Sequence, residues 1–140
     1  MSNSIEKQEF EEPSEELDKL AEQIVGSAYQ VHKNLGPGLL ERFYRDSMVF
    51  ELEDRGLKVD KEVSIPIFYK GKRLDGHYII DLLVEDNIIV ELKTVEELSK
   101  LHKAQLNTYL KISGHRLGIL INFNSTVVEI KRVLNKIEKQ

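Results

Sequence analysis

The hydrophobic positions of this chain change their period along its length, and each change predicts a different element. From Leu17, apolar residues recur at helical spacing (Leu20, Ala21, Ile24, Val25, Ala28, Val31), which predicts an amphipathic helix to about Lys33. Ser14 after Pro13 suits its N-cap, and Gly36 followed by Pro37 suits its stop. A second helix is expected from Leu39 or Leu40 to about Arg55, with Leu40, Phe43, Tyr44, Met48 and Leu52 as its apolar positions. The pattern then switches to period two. Leu57, Val59, Val63, Ile65 and Ile67 fall on one strand face, with a break at Asp60–Lys61, and Pro66 predicts an edge or a bulge.

After the turn in "YKGKR", strands are predicted at about 74–84 and 88–93. Ser99 caps a helix through Leu101, Leu106, Tyr109 and Leu110 that Gly114 ends. "RLGILIN" reads as a short strand buried on both faces, and "TVVEIKRV" as a last strand. The order is helix, helix, three strands, helix, two strands, which predicts an α/β domain with a mixed sheet covered by helices.

Charge changes this picture mainly at the N-terminus. Residues 1–16 hold six glutamates and one lysine, and of the 20 basic and 24 acidic residues that leaves 19 and 18 for the remainder. Residues 1–16 are therefore read as an acidic, disordered leader, and 17–140 as one nearly neutral domain. Neutrality neither favours nor excludes a nucleic-acid partner, since binding depends on local patches. There are no cysteines, which removes disulfides, zinc–thiolate sites and thiol nucleophiles and fits a cytoplasmic protein. No apolar run is long enough for a membrane span, and no secretory signal is read at the start.

The stretch "YIIDLLVEDNIIVELK" is too apolar for its charges to be incidental. With Glu85–Asp86–Asn87 as the turn, Val84 lies opposite Ile88 and Asp81 opposite Glu91. One face then carries Ile80, Leu82, Val84, Ile88, Val90 and Leu92. The other carries Asp81, Leu83, Ile89, Glu91 and Lys93. Like charges directly opposite destabilise a sheet, so a cation is expected between them. Mg²⁺ or Mn²⁺ suits paired carboxylates. The competing reading is a solvated, ion-paired face in which Lys93 neutralises Glu91.

Asp81, Glu91 and Lys93 in the pattern D-x9-E-L-K resemble the signature of the PD-(D/E)XK nuclease superfamily, with Ile80 where a proline is usual. "GLLERFY" resembles the motif that names the GxxExxY family within it, through Gly38, Glu41 and Tyr44. Gln105 and Tyr109 resemble the Gln-x-x-x-Tyr element of RecB-like nucleases. The resemblance spans about Leu17 to Val133 and implies a restriction-endonuclease-like αβββαβ core.

It also implies a metal-dependent nuclease. Asp81, Glu91 and Glu41 would be metal ligands; Asp81, Glu91, Lys93 and Gln105 catalytic; and Tyr44 and Tyr109 supporting. The family implies no well-defined substrate; the expected one is nucleic acid, with DNA favoured over RNA, hydrolysed at its phosphodiester bonds. The alternative is a non-catalytic nuclease-fold module that binds nucleic acid or a protein partner. The apolar stripe of the first helix leaves two readings open, packing on the domain or on a second copy as a homodimer. His102 shares a helical face with Gln105 and Tyr109 and is read as a partly exposed surface histidine.

Overall fold

A computed structural model describes residues 12–136. The predicted order of elements is observed: α1 (Glu15–Leu35), α2 (Glu41–Asp54), β1 (Val59–Tyr69), β2 (Lys72–Val84), β3 (Ile88–Lys93), α3 (Lys100–Ser113), β4 (Leu117–Asn122) and β5 (Glu129–Leu134). The five strands form one sheet in sequence order, with β3 and β4 parallel and every other pair antiparallel. This is the α/β architecture expected, an αβββαβ core with one further strand. Most of the proposed acidic leader lies outside the described residues. Its last two residues, Glu15 and Glu16, are helical, because Ser14 accepts a hydrogen bond from the Leu17 N–H and starts α1 there.

The two helical layers cover opposite faces of the sheet. Ala21, Ile24, Ala28 and Val31 of α1 join Tyr44, Met48 and Leu52 of α2 over Leu82, Val84, Val90, Leu92 and Ile119. The stripe on α1 therefore packs on its own domain. On the second face Leu106, Tyr109 and Leu110 of α3 cover Ile80, Leu83, Ile89 and Leu120. The apolar set foreseen for α2 holds only in part, since Leu40 and Phe43 are exposed.

The apolar residues of β1 do not share one face, and the change of face falls beside Asp81. Leu57 and Val59 pack beneath α1 and α2, but Val63 and Ile65 pack beneath α3. On β2, Leu82 and Val84 belong to the first core, while Ile80 belongs to the second. Regular alternation would keep Ile80 with Leu82. Both strands instead turn over at one level. Lys61 pairs with Leu82 and Val63 with Ile80, which leaves Glu62 opposite Asp81. Glu62 takes a positive φ of 54°, a conformation uncommon outside glycine, and it marks the roll. The break thus falls at Glu62 rather than at Asp60–Lys61. The bulge expected near Pro66 is present, between Pro66 and Phe68.

Two features fix α3 relative to the parallel strands. A Cβ on Gly118 would come within 2.8–2.9 Å of the Leu106 side chain, so the missing side chain lets α3 lie close on β4. The buried Asn122 at the end of β4 donates to the Val95 carbonyl and the Glu129 carboxylate and accepts from the Val95 and Asn124 N–H groups. Glu129 also accepts from the Leu98 N–H. These bonds tie down the segment that leads from Lys93 to α3. Gly118→Ala is expected to destabilise the domain by about 1–3 kcal/mol through overpacking against Leu106, measurable by urea unfolding. A change of under about 0.5 kcal/mol would show that α3 can move away freely.

Candidate active site

The site is built where β2 and β3 part. Their ladder runs from Val84–Ile88 through Leu83–Ile89 to Leu82–Val90, the register predicted from the turn. Glu85 and Asp86 both have positive φ, and the Asn87 N–H bonds the Val84 carbonyl, which closes the three-residue turn and sets that register. One position further on, side chains replace the backbone ladder. The Glu91 carboxylate (Oε2) accepts the Asp81 N–H at 2.7 Å, and the Asp81 carboxylate (Oδ2) accepts the Leu92 N–H at 2.8 Å. Each carboxylate is held by the backbone of the opposite strand, which satisfies N–H groups that the diverging ladder leaves behind.

Both acids are costly to ionise here. Burial pushes the Asp81 carboxyl above its ordinary value, against the Leu92 N–H and the charges of Lys93 and Arg45. Glu91 is only 6% exposed. Burial first, and the Asp81 charge second, push it up to about 8. Glu41, the first residue of α2, is raised as well, by burial and then by Asp81. Glu41 also raises Glu91, so the three predicted carboxyls act on one region.

Lys93 lowers all three pKa values but forms no ion pair within 4.0 Å with any of them among the described residues. Its ammonium donates instead to Gln105 Oε1 at 3.4 Å. The solvated face with Lys93 neutralising Glu91 is therefore not what the strands present.

The remaining predicted residues take distinct places. Tyr44 is fully buried, stacked on Phe123 with ring centroids 4.6 Å apart. Its hydroxyl donates to the Gly36 carbonyl and accepts the Leu39 N–H, so it fastens the turn that delivers Glu41. Tyr109 is buried with its ring 5.1 Å from that of Tyr78, and its phenol is pushed up by burial and then by Glu91. His102 closes a reciprocal cap with Ser99 and takes no part in the site.

Two residues escaped sequence reasoning. Arg45, one helical turn after Glu41, acts on both Glu41 and Asp81. Its side chain is 19% exposed, it lies 3.9 Å from Glu62, and its buried Nε has no hydrogen-bond partner among the described residues. The i, i+4 spacing from Glu41 was the available signal. Glu62 raises Asp81 from across the β1–β2 pair. The bulge after Pro66 shifts that register, so counting back from the turn misplaces it.

A hard divalent cation suits this donor set in one respect: all three acids offer oxygen, and Asp81 and Glu91 each spend one oxygen on a backbone N–H. Among the described residues, no three His, Cys, Asp or Glu side chains form a metal-holding group as they stand. Mg²⁺ commonly uses one or two carboxylates and retains waters, and the Asp81–Glu91 pair fits that mode.

Residues 18–133 match the model of the PD-(D/E)XK nuclease superfamily. The chain belongs to that superfamily. The crystal structure of SSO0001 shares the PD-(D/E)XK chain's fold with a TM-score of 0.54 at 20% identity, over 69% of this chain. The match spans 50% of SSO0001, so this PD-(D/E)XK chain corresponds to half of that protein's length. No curated protein matches significantly.

The raised acids fix a pH dependence. A carboxyl whose pKa is raised on folding binds more protons in the folded state, so its stabilisation is complete below about 4.5 and is lost as pH rises toward 8. The metal-free protein should melt several degrees lower at pH 8 than at pH 5. Glu91→Gln keeps an acceptor for the Asp81 N–H and removes the charge, so it should flatten that difference in thermal melts. An unchanged pH dependence in Glu91→Gln would show that Glu91 ionises normally.

Proposed function

We propose that this protein is a divalent-metal-dependent nuclease that hydrolyses phosphodiester bonds in nucleic acid, with DNA as the first substrate to test. The observation that carries the reading is the crowding of Glu41, Asp81 and Glu91 into one partly buried region with Lys93 beside them and, among the described residues, no direct ion pair to relieve them. Burying charge in this way is unfavourable for folding alone, and it is accounted for if a cation and a phosphate complete the site. Gly38, Glu41 and Tyr44 support placement in the GxxExxY family, because the Tyr44 hydroxyl secures the glycine-bearing turn ahead of Glu41.

In this reading Asp81 and Glu91 hold Mg²⁺ or Mn²⁺, and Glu41 contributes directly or through water. The ion, when bound, lowers the pKa of a water and offsets charge on the phosphate. Lys93 orients the attacking water or stabilises charge developing on the phosphate oxygens. Gln105 holds the Lys93 ammonium, and Tyr109 closes the α3 side of the site. Arg45 supplies a second cation on the α2 side.

A second reading is a nuclease-fold module that binds nucleic acid or a protein partner without cutting. Metal titration separates the two.

Wild-type protein should cleave labelled DNA in Mn²⁺, and Asp81→Asn or Glu91→Gln should lower the rate at least a hundredfold while the fold persists. The amides are chosen because alanine would strand the Leu92 or Asp81 N–H. Calorimetry should show metal affinity rising from pH 6 to pH 8.5, as protons leave the carboxyls. No metal heat and no cleavage in wild type would favour the binding module.

Glu41→Gln separates a ligand from a helix-end charge. As a ligand, it should weaken metal binding about tenfold or more with little change in apo stability. Equal affinity and equal activity would leave Glu41 only its place in the first turn of α2.

A further inference from the structure

The β1–β2 hairpin continues well past the body of the sheet. Every residue from Phe68 to Tyr78 is exposed, and burial resumes only at Ile80. The eight residues 72–79 alone extend roughly 25 Å at about 3.3 Å per residue. The tip is tight: Lys70 and Gly71 both have positive φ (49° and 80°), the combination of a type I′ turn, which keeps the ribbon stiff and right-twisted. Although the chain carries a net charge of −4, this segment holds Lys70, Lys72 and Arg73 against a single acid, Asp75.

The cations are arranged in pairs with aromatic rings. Arg73 pairs across the ladder with Phe68 and its guanidinium sits 6.0 Å from that ring, while Lys72 pairs with Tyr69. Lys70 lies 5.4 Å from the Tyr69 ring. Neighbours along a strand point to opposite faces, so the Arg73–Phe68 pair and the Lys72–Tyr69 pair occupy opposite sides of the ribbon. The same strand then runs from this tip to Asp81, and Tyr78 rests on Tyr109 at the edge of the site.

We propose that this hairpin is an arm that grips duplex nucleic acid, lying in a groove with its two faces toward the phosphates of opposite groove walls. It rests on the reading of the site as one that acts on nucleic acid, and it says which part of the chain supplies the affinity. A two-stranded ribbon fits the major groove, and cations on both faces answer to phosphates on both walls. The exposed rings brace the cationic side chains and supply contact area along the sugar edges.

The test is fluorescence anisotropy with a labelled 20-base-pair duplex across a NaCl series, in EDTA so that no hydrolysis occurs. Lys70→Ser/Lys72→Ser/Arg73→Ser should weaken binding at low salt more than tenfold. It should also reduce the slope of log affinity against log salt by about 2–3, because each lost phosphate contact removes about 0.9. A charge-matched control, Lys33→Ser/Lys111→Ser/Lys131→Ser, should leave most of the slope in place.

The proposal is overturned if wild type does not bind the duplex, if the arm variant keeps the wild-type slope, or if both variants lose it equally. A change from dimer to monomer in sedimentation with an unchanged slope would also overturn it, assigning the arm to contact between copies. Cleavage in Mn²⁺ is read separately. Arm-dependent binding without cleavage would leave the arm standing and remove the nuclease reading, while cleavage with arm-independent binding would do the reverse.

Discussion

The structure turns on the exchange of hydrogen bonds between two buried carboxylates and the backbones that face them. At the fork between β2 and β3, Glu91 accepts the Asp81 N–H and Asp81 accepts the Leu92 N–H. The bonds hold the strands at a set separation after the ladder has ended. They also hold two carboxyl groups where burial and, for Glu91, the Asp81 charge oppose ionisation. A fold that needed only those N–H groups satisfied could have continued the ladder. Placing acids there keeps the strands parted and concentrates carboxyl groups in one partly buried region, as the proposed metal site requires.

The surrounding elements supply that region from both faces of the sheet. Tyr44 fastens the Gly36–Leu39 turn, and α2 then delivers Glu41 and, one turn later, Arg45. On the other face, the absent side chain of Gly118 admits α3 close to β4, which brings Gln105 to Lys93 and Tyr109 toward Glu91. The Asn122–Glu129 hub anchors the segment between them. The roll of the β1–β2 ribbon at Glu62 and Asp81 adds the last element, because it frees the distal hairpin from the face that holds the proximal half.

Much of this was legible in the residues. Apolar periodicity and caps place the elements because local spacing determines which face is buried, and the turn at Glu85–Asn87 fixes the register that sets Asp81 against Glu91. What escaped depended on events that no local pattern encodes. The turnover that moves Ile80 to the α3 face needs a positive φ at Glu62, a residue with no special preference for it. Arg45 and Glu62 join the site through the β1–β2 pairing and helix placement, which a strand bulge hides from counting. Leu40 is exposed as the extended N-cap ahead of α2, and the exposure of Phe43 is a tertiary outcome that helical spacing leaves open.

The central claim is that Glu91 is held in a partly buried, negatively charged site that a divalent cation can neutralise. Carbon-13 NMR of the glutamate side-chain carboxyls, followed against pH with and without Mg²⁺ and assigned through Glu91→Gln, tests it directly. The account predicts that one carboxyl titrates near 8 in metal-free protein and that its midpoint falls by more than one unit when Mg²⁺ is present. A Glu91 midpoint near the ordinary value of 4.5, unmoved by Mg²⁺, would contradict it.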